Sequence, residues 1–153
     1  MSNSYQYAHD SYYCYESSNV LKNKLGICDS KLLEEKERKI AGLRYIELFQ
    51  NIPKGEMNFN YLLKIHKFLF QDIYTWAGKI RTVDIAKGNM FCNSRFIYSN
   101  ATEIFNNLKK EHFLQDLSAN ELYVKMAYYF SEINALHPFR DGNVTQRHQQ
   151  KAA

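Results

Sequence analysis

The capping box Ser118-Ala119-Asn120-Glu121, with the apolar run behind it, constrains this chain more than any other segment. A serine hydroxyl that caps the third backbone N–H of a helix, with a glutamate at that third position reaching back, fixes where the helix starts. Leu122, Met126, Tyr129, Phe130 and Ile133 then recur at intervals that place them on one buried stripe. The stripe runs into His137-Pro138, where proline ends the helical pattern. His137 lies one turn beyond Ile133, so the face expected to carry the core also aims a histidine toward the middle of the domain.

The rest of the chain follows the same grammar, and the expected fold class is all-α. Asp29 or Ser30 can cap a helix running to about Ile52, with Leu33, Ile40, Leu43 and Ile46 on one face, and Pro53 with Gly55 ends it. A second helix begins near Asn58 or Asn60, carries Leu62, Ile65, Leu69 and Ile73, and stops around Trp76-Ala77-Gly78. Ser99 or Asn100 leads into a third with Ile104, Phe105 and Leu108. Residues 80 to 97 break the pattern. Arg81, Val83 and Ile85 alternate with Ile80, Thr82 and Asp84, and Gly88-Asn89 supplies a turn, which reads as a short β-hairpin or a surface loop. Residues 1 to 20, rich in Tyr and Ser, form an irregular arm ahead of a domain at 21–153.

Composition limits the function classes. At 153 residues and 45% hydrophobic content the chain can bury one sizeable core. It has no apolar run long enough to span a bilayer, and its N-terminus lacks a charged-then-apolar leader, so a cytoplasmic protein without membrane contact is expected. Cys14, Cys28 and Cys92 are odd in number and widely separated, which suits reduced thiols rather than a disulfide framework or a zinc pattern. The net charge of +4 is spread among lysines that alternate with Glu34, Glu35, Glu37 and Glu111, as on solvated helix faces. Nucleic acid is therefore not an expected partner. The excess suits a nucleotide triphosphate or an acidic protein equally well.

Chemistry concentrates in His137-Pro138-Phe139-Arg140-Asp141-Gly142-Asn143. A histidine can accept a proton near neutral pH. A carboxylate four residues on can hold a hard divalent cation. Gly142 lets successive N–H groups curl inward as an anion nest, and a helix starting near Asn143 would add its positive end. The same residues also read as an ordinary helix end and turn, with the histidine as a core residue. Spacing leaves both readings open.

These residues resemble the signature of the Fic family (filamentation induced by cyclic AMP), His-x-Phe-x-Asp/Glu-Gly-Asn-Gly-Arg-x-x-Arg, and match it through Asn143. Asp72-Ile73-Tyr74-Thr75-Trp76-Ala77-Gly78, Ile80-Arg81, and Ile85-Ala86-Lys87-Gly88 through Phe91 resemble the family's segment before the motif, so the likeness spans roughly Leu21 to Arg147. It implies a Fic-like helical bundle with a short β-hairpin flap, and transfer of AMP from ATP to a Ser, Thr or Tyr hydroxyl of a target protein. On that resemblance His137 is the base, Asp141 holds Mg²⁺, and Gly142 and Asn143 receive the phosphate charge. Arg147 contacts the terminal phosphates, Phe139 packs inward, and Ile85, Ala86, Lys87 and Gly88 form a flap that holds the target as an added strand. The chain departs from the pattern after Asn143, where Val144-Thr145-Gln146-Arg147 stands one position short and lacks the glycine and first arginine. A catalytically impaired Fic-like domain that binds nucleotide or a partner is the alternative, and an unrelated helical interaction module the third. No inhibitory string of the family's form Ser/Thr-x-x-x-Glu-Gly/Asn occurs. Either a separate antitoxin-like chain supplies that glutamate, or the natural protein continues past Ala153.

Overall fold

A computed structural model describes residues 10–143, which are mostly helical. They divide into two compact units, one made of residues 10–56 and 60–79, the other of 57–59 and 80–143. Residues 1–9, the first half of the expected arm, and 144–153, which include Val144 and Arg147, lie outside the described residues. No helix among the described residues is long and apolar enough to cross a membrane.

In the first unit α1 spans Ser30–Gln50, and its N-cap is Asp29, whose carboxylate accepts the Leu32 N–H at 2.7 Å. Its buried positions are Leu33 and Ala41. Leu43 and Ile46, expected inside, are 68% and 57% exposed. The reason lies in the polar side chains of the packed face. The Tyr74 hydroxyl donates to Glu37, and Arg44 pairs with Asp72 at 2.8 Å, so the row Leu33, Glu37, Ala41, Arg44 turns inward and the more apolar row turns out. Helix α2 spans Phe59–Phe70 and ends earlier than the sequence suggests. The next residues coil into a tight aromatic turn in which Ile73 and Tyr74 are buried and Tyr74 stacks on Trp76 with ring centroids 4.3 Å apart. Gly78 closes it with φ +75°, at a spot where a Cβ would lie 2.6 Å from the Lys67 Cβ. The second half of the expected arm belongs to this unit: Cys14 bridges Leu21, the Lys24 N–H donates to the Ile73 carbonyl at 2.8 Å, and Tyr13, Cys14 and Leu21 are buried.

In the second unit α3 (Ile97–Lys110) packs on α4 (Ala119–Leu136), and its buried residues are Ile97, Ala101, Phe105 and Leu108. The capping box forms in both directions, with Ser118 N–H donating to Glu121 at 3.0 Å and Glu121 N–H to the Ser118 hydroxyl at 3.4 Å. The stripe on α4 is rotated from the expected one. Tyr129 and Leu136 are buried, whereas Met126 and Phe130 are 54% and 50% exposed. One residue is about 100° of rotation, so facing α3 along the 125–129–132–136 row turns 126 and 130 to the side.

Among the described residues, besides the Cys14–Leu21 bridge, strands pair at β1 (Ala86–Lys87) and β2 (Asn89–Met90), antiparallel with Ala86 opposite Met90. Of the short β-hairpin expected within 80–97 only this two-residue pair forms, because side chains take the backbone groups that a longer ladder needs. Arg81 occupies the carbonyls of Val83 and Cys92, and Asp84 accepts the Ser94 N–H at 2.7 Å.

Candidate active site

Helix α4 ends on a strained residue. His137 is the C-cap in a left-handed conformation, φ 46° and ψ 63°, with its N–H bonded to the Ile133 carbonyl at 3.1 Å. Only glycine and, less readily, asparagine adopt this shape without penalty, and for histidine it costs about 1–2 kcal/mol. Pro138 comes next and forbids further helix. The imidazole is 1% exposed and lies flat against Phe91, with ring centroids 3.9 Å apart and planes 14° apart.

Its charge state is a consequence of that placement. Burial above all, then the nearby Arg81 guanidinium and more weakly Lys87, push His137 down to about 4, against a backbone hydrogen bond to Asn134 that acts the other way. At neutral pH the ring is therefore uncharged and able to accept a proton.

The loop beyond it is braced from within. Asn143 uses both ends of its amide on Phe139, accepting its N–H at 3.2 Å and donating to its carbonyl at 2.8 Å. Phe139 and Arg140 are buried at 3% exposure each. The half-buried Asp141 accepts the Gly142 N–H at 2.7 Å, and Gly142 has φ +73°, a value open to glycine and costly to a branched side chain. The side chain of Asn143 is thus committed to holding the turn, which leaves a phosphate contact at 143 to its backbone. Arg147, the remaining expected phosphate ligand, lies outside the described residues.

Of the flap residues Ile85 is buried, Ala86 and Lys87 are half-buried in β1, and Gly88 is exposed at the turn. This segment and the histidine turn are joined directly: the Cys92 N–H donates to the Ala135 carbonyl at 3.1 Å, and Arg81 N–H to that of Pro138 at 2.9 Å. A groove of about 600 Å³ opens beside them, with Phe91, Cys92, Asn100, Glu103, Tyr129 and Leu136 among its walls. Periodicity could not single out Phe91 or Arg81 as partners of His137. The one signal in the sequence was an arginine in an alternating run between Ile80 and Ile85, a charge in line with apolar side chains.

The residues fit a cation in one way. Among the described residues no three His, Cys, Asp or Glu side chains gather into a metal cage. A single carboxylate such as Asp141 suits Mg²⁺, which is commonly held by one or two carboxylates with substrate phosphates and water completing its shell.

Residues 56–145 match the Fic/DOC family. The chain is 43% identical over 139 residues to the protein adenylyltransferase VbhT of Bartonella schoenbuchensis, a match covering 84% of this chain and 29% of VbhT. The fold is similar to the crystal structure of the N-terminal Fic domain of a Bartonella effector protein from Bartonella sp. AR 15-3, at 31% identity and a TM-score of 0.81, over 94% of this chain and 72% of that one. It is also similar to the N-terminal Fic domain of a putative cell filamentation protein from Bartonella quintana with bound ADP, at 30% identity and a TM-score of 0.80, over 88% and 71% of the two chains. With the family's model matching residues 56–145, and with a relative 43% identical and a solved Fic domain of the same fold each covering most of this chain, the chain belongs to the Fic/DOC family.

Proposed function

We propose that this chain transfers AMP from ATP to a Ser, Thr or Tyr hydroxyl of a target protein. The observation that carries the reading is the neutral, buried His137 at the end of α4, four residues before a half-buried carboxylate on a glycine turn. The target hydroxyl gives its proton to the His137 ring as its oxygen attacks the α-phosphorus. A new P–O bond forms to the target, the bond to the β-phosphate bridge breaks, and pyrophosphate leaves. A base held near 4 is weak in isolation, but the charge of an incoming triphosphate favours the protonated ring and strengthens it. Asp141 would hold Mg²⁺, which supplies neutralisation of phosphate charge. The Gly142–Asn143 backbone would face the developing oxyanion, Phe139 fixes the loop from inside, and Arg147 would contact the terminal phosphates.

Ile85, Ala86, Lys87 and Gly88 would act as the flap, lending the β1 edge to an extended target segment by β-augmentation. The bound ADP of the Bartonella quintana domain supports a nucleotide site in this fold. Cys14, Cys28 and Cys92 are free thiols, which with the need for ATP supports the cytoplasm as the place of reaction. A separate antitoxin-like chain that carries the family's inhibitory glutamate would restrain such a site.

A second reading, a Fic domain that binds nucleotide or a partner and transfers poorly, is favoured by Val144 standing where the family carries glycine and arginine. Incubation with Mg-ATP and host lysate, with mass spectrometry of adenylylated peptides, tests the first reading. Replacing Val144 with Gly-Arg separates the two. A damaged phosphate grip predicts at least about a tenfold gain, worth about 1.4 kcal/mol at the transition state. No gain would assign the limit elsewhere.

A further inference from the structure

Arg81 is 1% exposed, and its guanidinium donates to four backbone carbonyls. Nε donates to His137 O at 2.7 Å, one terminal nitrogen to Val83 O at 2.7 Å, and the other to Cys92 O and, at 3.4 Å, to Leu136 O. Asp84 stands 3.9 Å away with its oxygens engaged by Ser94 N–H and the Asn93 amide, so it is a secondary partner. Two of these carbonyls close α4, where the last acceptors of a helix lack intrahelical donors and the helix dipole is negative. The other two flank the strand pair that the histidine turn meets.

We propose that Arg81 is the positioning residue of His137: its planar fork holds the left-handed turn in place and locks residues 83–92 to that turn as one unit. The inference rests on the reading of His137 as the base. A lysine carries the same charge but presents one nitrogen, which cannot span carbonyls on both sides as a guanidinium does. The locked segment also delivers Phe91 onto the imidazole, so a target strand gripped at β1 would be registered to the base through Arg81. The charges facing the ring are those of Arg81 and Lys87, and the fork keeps the first at fixed distance.

The test is Arg81→Lys, with three readouts: kcat against KM, amide hydrogen exchange over 83–92, and the NMR signals of the His137 ring. Loss of positioning predicts a fall in kcat of about a hundredfold, as for a small misplacement of a catalytic group, with KM for ATP changed by less than about threefold. Exchange over 83–92 should accelerate and the His137 ring signals should move. His137→Ala keeps its backbone carbonyl and should leave that exchange protected. If His137→Ala still transfers AMP while Arg81→Lys frees the segment, the base assignment fails and the positioning role stands. Wild-type exchange, ring signals and kcat in Arg81→Lys would overturn the proposal. Should Arg81→Lys be too unstable to assay, the comparison moves into His137→Gly, whose turn is unstrained. There Arg81→Lys should alter the unfolding equilibrium at least about fivefold less than in the parent chain, and an equal effect in both backgrounds would overturn the inference.

Discussion

Two turns in this molecule are built from the same parts and come out differently. In α2, His66 is 3% exposed, lies against Phe70 and Trp76, and precedes a turn that Gly78 closes at φ +75°. After α4, His137 is 1% exposed, lies against Phe91, and precedes a turn with Gly142 at φ +73°. Burial, an aromatic neighbour and a left-handed glycine are common to both. The differences are in the backbone and in the polar groups nearby. His66 sits inside a regular helix and accepts the Gly78 N–H on Nδ1 at 2.9 Å, a bond that ties the turn to the helix. His137 is itself the left-handed residue, held there by a guanidinium, and leads into a loop with a half-buried carboxylate. Strain, together with the polar groups beside it, sets His137 apart from His66, and the proposed role of base rests on that difference rather than on burial.

The largest expected effect separates the two histidines directly. His137→Ala should cut AMP transfer by about 10²–10⁴-fold, the contribution of a general base, with ATP binding retained, whereas His66→Ala should lower stability and leave transfer by the folded fraction intact. Transfer and thermal unfolding measured on both variants decide it, and a loss of chemistry in folded His66→Ala would erase the distinction.

Next comes the pH response. With the folded His137 held near 4 and an unfolded value of 6.5, its contribution to stability is full above pH 6.5 and lost as pH falls toward 4, because only the unfolded chain takes up the proton. The loss amounts to at most about 3 kcal/mol. Denaturant unfolding at pH 7 and pH 4 should show a smaller drop in His137→Gln, and equal drops in the two proteins would mean that the ring is not held neutral.

The smallest effect belongs to the turn after α2. Gly78→Ala would place a methyl 2.6 Å from the Lys67 Cβ and 2.8 Å from the Leu63 carbonyl. Such overpacking costs a stability loss of about 1–3 kcal/mol, without a change in transfer below the melting transition. A change in kcat would show that this turn is more than scaffold.

Helix starts were legible because they are local: Asp29 and Ser118 cap their own neighbours, and both do so in the structure. Which face of a helix is covered was not, because the partner decides it. On α1 the bonds of Glu37 and Arg44 outweigh Leu43 and Ile46, and on α4 the seat against α3 selects Tyr129 over Phe130. The motif was readable as a string, and its resemblance named the family. The grip of Arg81 was not, since its carbonyls at 83, 92, 136 and 137 come together only when the chain has folded. The strand pair is short for a more local reason, as Arg81 and Asp84 within the same segment take backbone groups that a longer ladder needs.

The left-handed cap at the end of α4 also sets a trade-off between durability and work. Glycine or asparagine at position 137 would relieve the backbone and lengthen the life of the fold, at the expense of the proton acceptor. Chains drifting away from AMP transfer would therefore find an easy first step at this residue, gaining robustness as they lost activity, while a chain that keeps histidine there carries a standing thermodynamic burden that the proposed proton transfer would explain.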